Sequence, residues 1–251
     1  MEKLFGLIGF PLSHSFSAGY FARKFEKENI TNCRYNPFPL EKISSFPELI
    51  QLNPNLVGLN VTIPHKETII PFLDELSNSA REAGAVNTIK IFRHGSEIYT
   101  KGYNTDIHGF EQSLLHNNVK LPANSLILGT GGASKAAEWV LKKHGCQITF
   151  VSRKPVKKNT VSWEELNKST ISHFELIINT TPLGMYPNID EYPPLPYDTA
   201  ENTHTFFDLI YNPAETAFLK KAKVRGCKVI NGLFMLEQQA EKAWEIWNRA
   251  E

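Results

Sequence analysis

Apolar residues recur along this chain at two spacings. A run from 4 to 10, ended by Pro11, predicts a buried strand, and 56–63 has the same character. Between them, 16–29 carries Phe16, Tyr20, Phe21 and Phe25 at helical spacing. Pro64 opens a helical stretch over 66–76, which Pro71 should kink or break. Residues 85–92 and 97–103 alternate around His94-Gly95-Ser96, the pattern of a hairpin. A helix over 107–118 follows, with Asp106 expected at its N-cap.

The second half predicts strands at 125–129, 147–152, 176–180, 206–210 and 228–231, with helices at 134–144 and 215–225. The chain finishes in an amphipathic helix over 234–248 that displays Leu236, Ala240, Ala243, Trp244 and Trp247. Strands alternating with helices imply an α/β fold with parallel sheets covered on both faces. The proline-rich stretch 187–196 reads as a surface loop.

Composition changes this picture little. The 251 residues are 41% hydrophobic and 21% charged, which supplies a sizeable core for one large domain or two small ones. Net charge is +1, and the densest basic group (Lys154, Lys157, Lys158) is short, which argues against a nucleic-acid partner. Cys33, Cys146 and Cys227 are widely spaced and odd in number, so they are expected as small buried hydrophobes in a reducing compartment. The first apolar run is too short for a secretory signal, and no segment approaches the roughly 20 apolar residues of a membrane helix. The expected location is the cytoplasm. No His or Cys pattern has zinc-ligand spacing, so no metal is expected.

Candidate chemistry begins at Gly129-Thr130-Gly131-Gly132-Ala133-Ser134, which joins an apolar strand to a helix. Alone, this is either a dinucleotide loop or a plain glycine-rich turn. In the first reading Gly129 makes the tight turn, Gly131 lets the backbone approach a pyrophosphate, and amides at the helix start face its charge. Ser134 stands where the usual fingerprint has a third Gly or Ala. The next strand ends at Ser152-Arg153-Lys154, about 20 residues beyond the first glycine, where NAD enzymes carry an acid for the ribose hydroxyls. A 2′-phosphate would instead meet Arg153 and Lys154, so NADP(H) is the expected cofactor.

The first half carries polar motifs at strand ends: 9–17 (Gly-Phe-Pro-Leu-Ser-His-Ser-Phe-Ser), 60–66 (Asn-Val-Thr-Ile-Pro-His-Lys), 84–88 (Gly-Ala-Val-Asn-Thr) and 104–106 (Asn-Thr-Asp). Each alone could be a cap or an Asx turn. In this order, and with 179–185 (Asn-Thr-Thr-Pro-Leu-Gly-Met), 208–213 (Asp-Leu-Ile-Tyr-Asn-Pro) and 231–240, the chain resembles the shikimate dehydrogenase family from residue 4 to about 245.

The resemblance implies an N-terminal α/β substrate domain, residues 1–106 with 233–251, and a Rossmann-like NADP-binding domain, 107–232, with a cleft between them. It implies NADPH-dependent reduction of 3-dehydroshikimate to shikimate, a step of chorismate and aromatic amino-acid biosynthesis. Ser15 and Ser17 match the serines that hold the substrate carboxylate, with Tyr211 adding a donor. Thr62, Asn87, Asp106 and Gln239 match positions that bond ring hydroxyls, and Leu209 and Gly232 match the nicotinamide end. Lys66 matches the catalytic lysine and Asp106 its partner. An ammonium can stabilise the oxygen of a ketone and deliver its proton as hydride arrives. His65 is expected to point elsewhere, since adjacent helical positions diverge by about 100°. His14 is expected to stabilise its turn.

The chain departs from the family at Ala18, where a proline is usual, and at Ser152 and Lys154, since many members read Asn-Arg-Thr over 152–154. The alternative readings are a quinate/shikimate dehydrogenase using NAD and a non-catalytic relative that binds NADP(H) or shikimate. A homodimer is the working expectation for assembly.

Overall fold

The computed structural model describes residues 2–12, 16–155, 158–167 and 171–249. It divides into two compact units, Met1–Thr105 with Ala240–Glu251, and Asp106–Gln239.

The first unit is a six-stranded sheet made of β1 (Lys3–Gly9), β2 (Cys33–Pro39), β3 (Leu56–Val61), β4 (Glu75–Leu76), β5 (Thr88–His94) and β6 (Glu97–Tyr103), in the order β2-β1-β3-β5-β6-β4. β1 pairs in parallel with β2 and β3, while β3-β5 and β5-β6 are antiparallel, so the sheet is mixed. One hydrophobic cluster packs Ile8, Leu59, Val61 and Ile89 with Phe46 and Ile50 of helix α2 (Phe46–Leu52). Another packs Phe5, Leu7 and Tyr35 with Phe21 and Phe25 of α1 (Phe16–Lys27). Ala240, Ala243 and Trp247 complete that second cluster from the chain's final helix, Leu233–Asn248. The Trp247 indole donates to the Ile89 carbonyl at 2.9 Å, and a Cβ on Gly58 would fall 2.4 Å from its ring. Glycine lets the helix seat directly on β3.

Expectation and structure part in several places, beginning with this sheet, which is mixed where parallel sheets are expected. The predicted helix over 66–76 is a single turn, α3 (His65–Thr68), then a 3-10 turn holding Pro71 and the short β4. Pro71 breaks the stretch outright instead of kinking it. α2 and a further helix, α4 (Asn78–Ala83), were not expected, nor was β2, whose Pro37 and Pro39 are tolerated because it is an edge strand. Cys33 is half-buried, whereas Cys146 and Cys227 are buried.

The second unit begins with α5 (Thr105–His116, its first residue belonging to the first unit). It continues through β7 (Asn124–Leu128), α6 (Gly132–Lys143), β8 (Gln147–Val151), β9 (Thr160–Val161), β10 (Leu176–Asn179), β11 (Thr205–Asp208), α7 (Ala217–Val224), β12 (Lys228–Ile230) and the start of α8 (Leu233–Asn248). Asp106 lies inside the first turn of α5 and not at its cap. The six strands run β12-β11-β10-β7-β8-β9, all neighbours parallel. Counted within this unit, that is the 3-2-1-4-5-6 order of a dinucleotide-binding fold, whose direction of winding reverses between β7 and β10. Successive strand residues face opposite sides. Accordingly Leu126, Leu128, Ile177 and Phe206 pack with Phe218 and Leu219 of α7, while Phe207 meets Phe110 of α5 at 5.0 Å between ring centroids. No helix among the described residues is long and apolar enough to cross a membrane.

Candidate active site

In the second unit the glycine-rich turn stands at the switch point. Gly129 has φ +103°, a conformation that disfavours side chains, and a Cβ there would lie 2.8 Å from Thr180 Oγ1. The turn at the end of β10 is tied to it, because Thr180 donates to the Leu128 carbonyl through both its amide (2.9 Å) and its hydroxyl (2.7 Å). Thr130 is half-buried. Gly131 caps α6 in an extended conformation, and the place a Cβ would occupy is open space. Gly132 and Ala133 form the first turn of α6, where amides lack helical partners. Ser134 is buried, its hydroxyl donating to the Gly131 carbonyl at 2.7 Å, so a small polar residue fits where the fingerprint has Gly or Ala.

The end of β8 carries the next part. Ser152 is half-buried and accepts from the Lys154 amide at 3.3 Å, and the Arg153 and Lys154 side chains are exposed. An open glycine at a helix N-terminus, with two cations and no carboxylate over 152–154, fits a dinucleotide bearing a 2′-phosphate.

The backbones of Leu209 and Gly232 approach closely. A Cβ on Gly232 would fall 2.1 Å from the Leu209 carbonyl oxygen, so only glycine permits this approach. Tyr211, two residues beyond Leu209, is half-buried, and burial raises its phenol above the ordinary value, which keeps it a hydrogen-bond donor. Asp106 and Gln239 belong to one helix crossing. Gly109, one turn from Asp106 on the same face of α5, is where a Cβ would lie 2.4 Å from the Met235 carbonyl and 3.2 Å from Gln239 Cβ. Gln239 is buried and donates to the Leu236 carbonyl at 2.9 Å.

Beside these residues Asn179 and Asp208, which stand in the motifs without an expected role, form a buried cluster with Thr216. Asp208, at the end of β11, is wholly buried and accepts from Asn179 Nδ2 (3.0 Å), the Ile210 amide (3.0 Å) and Thr216 Oγ1 (2.6 Å). Asn179 in turn accepts from the amide and hydroxyl of Thr181. The carboxylate therefore ties together the turns that follow β10 and β11 and the cap of α7. Burial pushes its pKa up to about 6 against these three bonds, and its charge adds to the burial that raises the Tyr197 phenol. A separate surface cavity of about 440 Å³, bordered by His116, Ala214, Ile230, Asn231 and Phe234, contains none of the candidate residues.

In the first unit Thr62, Lys66 and Asn87 are drawn together by main-chain bonds at the end of β3. The Thr62 amide donates to the Ile8 carbonyl, the Val61 amide to that of Asn87, and the Val86 amide to that of Lys66 at 2.7 Å. Lys66 and Thr62 are half-buried, and Asn87 is buried. His65 turns away, its Nε2 donating to the Leu40 carbonyl and its Nδ1 accepting from Thr68 Oγ1 at 3.4 Å. It is a structural histidine.

Asn87 Oδ1 accepts from the Thr105 amide at 2.6 Å, and its Nδ2 donates to Thr105 Oγ1 at 3.0 Å. Ser17, in the first turn of α1, is buried with its hydroxyl hydrogen-bonded to Tyr35. His14 and Ser15 lie outside the described residues, as does Lys157. Among the described residues, no cluster of three His, Cys, Asp or Glu side chains could hold a metal.

Comparison with known proteins agrees with this geometry. Residues 7–89 match the shikimate dehydrogenase substrate binding domain family. A shikimate dehydrogenase (NADP(+)) of Methanococcus maripaludis is 39% identical over 98% of this chain and 91% of its own length. The crystal structure of shikimate dehydrogenase from Aquifex aeolicus is 34% identical, with TM-score 0.87 over 100% of this chain and 94% of that one. A shikimate dehydrogenase solved in complex with NADP+ is 33% identical, with TM-score 0.86 over 100% of this chain and 91% of that one. The chain therefore belongs to the shikimate dehydrogenase family.

Proposed function

We propose that this chain catalyses the reversible NADPH-dependent reduction of 3-dehydroshikimate to shikimate in aromatic biosynthesis. The carrying observation is the family match over nearly the whole chain. The glycine turn at the switch point and the basic pair after β8 support NADP in particular.

In this reading residues 1–106 with 233–251 bind substrate and 107–232 bind the cofactor. Gly129, Thr130, Gly131, Gly132 and Ala133 cradle the pyrophosphate, Ser152, Arg153 and Lys154 hold the 2′-phosphate, and Leu209 and Gly232 border the nicotinamide. When bound, the reduced cofactor supplies a hydride to the substrate carbonyl carbon. Ser15, Ser17 and Tyr211 hold the substrate carboxylate with neutral donors, and Thr62, Asn87 and Gln239 bond the ring hydroxyls. Lys66 and Asp106 converge on the reacting oxygen. The Lys66 ammonium stabilises negative charge there and donates the proton that completes the alcohol. Asp106 orients the ammonium and accepts from the neighbouring hydroxyl.

Initial rates of NADP+ and NAD+ reduction with shikimate and with quinate test this reading. It expects the highest kcat/KM for shikimate with NADP+. A higher value with NAD+ or quinate would reassign the chain to the quinate-using branch, and binding without turnover would make it a sensor. The reading includes a cytoplasmic location, checked by fractionation, and assembly as a homodimer, checked by light scattering.

A further inference from the structure

Five buried polar side chains of the first unit form one connected path, of which only Asn87 has a role above. Tyr35, on β2, donates to Asn60 Oδ1 at 2.8 Å. Asn60, on β3, donates through Nδ2 to the Asn87 carbonyl and to Thr88 Oγ1, both at 3.3 Å. The Thr88 hydroxyl reaches Asn87 Oδ1 at 3.2 Å and Thr105 Oγ1 at 3.1 Å, and the same Asn87 oxygen takes the Thr105 amide. Tyr35, Asn60, Asn87, Thr88 and Thr105 are each 9% exposed or less. The path crosses β2, β3 and β5 and ends on the residue directly before Asp106. At its other end the Tyr35 phenol is bonded to Ser17.

Buried polar groups cost stability unless every member is satisfied, and a satisfied network locks one arrangement of its members. An apolar core would hold these strands together at least as well, so the path is worth explaining by what it orients. Asn87 has one side-chain oxygen serving both Thr88 and Thr105; Thr88 bonds that oxygen directly, while Asn60 fixes the Thr88 hydroxyl and the Asn87 main-chain carbonyl.

We infer that Tyr35, Asn60 and Thr88 are positioning residues, which orient Asn87 and through it the Thr105 backbone that carries Asp106. This rests on the proposed role of Asp106. None of the three needs to touch substrate. The phenol joins the Ser17 end of the path to the Asn87 end, so one buried ring sets both.

The test uses Tyr35→Phe, Thr88→Val and Thr88→Ser in the full-length protein, with shikimate and NADP+ as substrates. Tyr35→Phe keeps the ring that stacks on Phe21 at 4.6 Å, and Thr88→Val keeps the shape of the side chain. Tyr35→Phe and Thr88→Val should each lower kcat/KM for shikimate by about tenfold, the equivalent of one buried hydrogen bond. The KM for NADP+ should stay within twofold, and Thr88→Ser should restore the parent value. In an Asp106→Asn background, Tyr35→Phe should lower kcat no further. Equal loss on both substrates, failure of Thr88→Ser to rescue, or a full additional loss beside Asp106→Asn would overturn the inference. Asp106→Asn alone reads the mechanism: unchanged kcat would remove Asp106 from catalysis, leaving the positioning claim to the shikimate KM of Tyr35→Phe. If Tyr35→Phe does not fold, the Val and Ser variants at Thr88 decide.

Discussion

Asp208 offers a perturbation whose size follows from its surroundings. Its carboxylate is buried, its three donors are neutral, and burial raises its pKa from 3.8 to about 6. The folded state thus binds this proton more tightly than the unfolded chain does. The resulting stability is fully present below pH 3.8 and is lost as pH rises through about 6, after which the buried charge costs a constant amount. A shift of about 2 units at about 1.4 kcal/mol each makes that cost on the order of 3 kcal/mol. In Asp208→Asn the carbonyl can keep the Asn179 and Ile210 bonds. The new amide group faces Thr216, whose hydroxyl loses its acceptor at a cost of about 1 kcal/mol. The variant should then be more stable than the parent by about 2 kcal/mol at pH 8. At roughly 2–4 °C per kcal/mol for a chain of this size, Tm should rise by about 4–8 °C. Thermal unfolding of both proteins by circular dichroism from pH 4 to pH 8 isolates the effect, since every other titrating group is shared. The difference should grow between pH 4 and about 6 and then level off. A difference that is flat across the range, or one that favours the parent increasingly as pH rises, would refute the reasoning.

Three further outcomes are expected. Lys66→Ala should lower kcat by about 10²–10⁴, as measured by NADP+ reduction with shikimate; a loss under tenfold would remove it from proton transfer. Arg153→Ala should raise the KM for NADP+ by about tenfold or more while leaving that for NAD+ within twofold, because only the 2′-phosphate needs the guanidinium. Gly232→Ala should push the Leu209 carbonyl aside, since its Cβ would begin 2.1 Å away. That should cost about 1–3 kcal/mol in a melt and raise the KM for NADP+; an unchanged Tm and KM would show that the two turns separate freely.

What could be read from the sequence was what local chemistry determines. β7 and β10 are short apolar runs ended by turn residues, and Gly129 marks its turn because few other residues take φ +103°. β2 escaped notice because prolines at 37 and 39 look like breakers until the strand is known to lie at an edge. α2 hid behind Pro47, which is tolerated in a first helical turn. α5 starts two residues before the expected position, because Asp106 has the chemistry of a cap, whereas Asn87, 18 residues earlier, already takes the Thr105 amide. The same holds at the site. Motifs exposed Lys66, Asp106 and the glycines, but nothing local distinguishes Tyr35 from any other strand tyrosine. Its meaning comes from Asn60, and that of Asp208 from Asn179 and Thr216, contacts made only after folding.

The last turns of α8 belong to the first unit, and this has a consequence for synthesis. The face carrying Phe5 and Phe21 is closed by Ala240, Ala243 and Trp247. On a ribosome, the opening 105 residues therefore wait bare-faced while Asp106–Gln239 is made, on the order of ten seconds at usual elongation rates. Chains stalled before Ala240 should bind a hydrophobic dye or a holdase chaperone, and release of the finished C-terminus should end that capture.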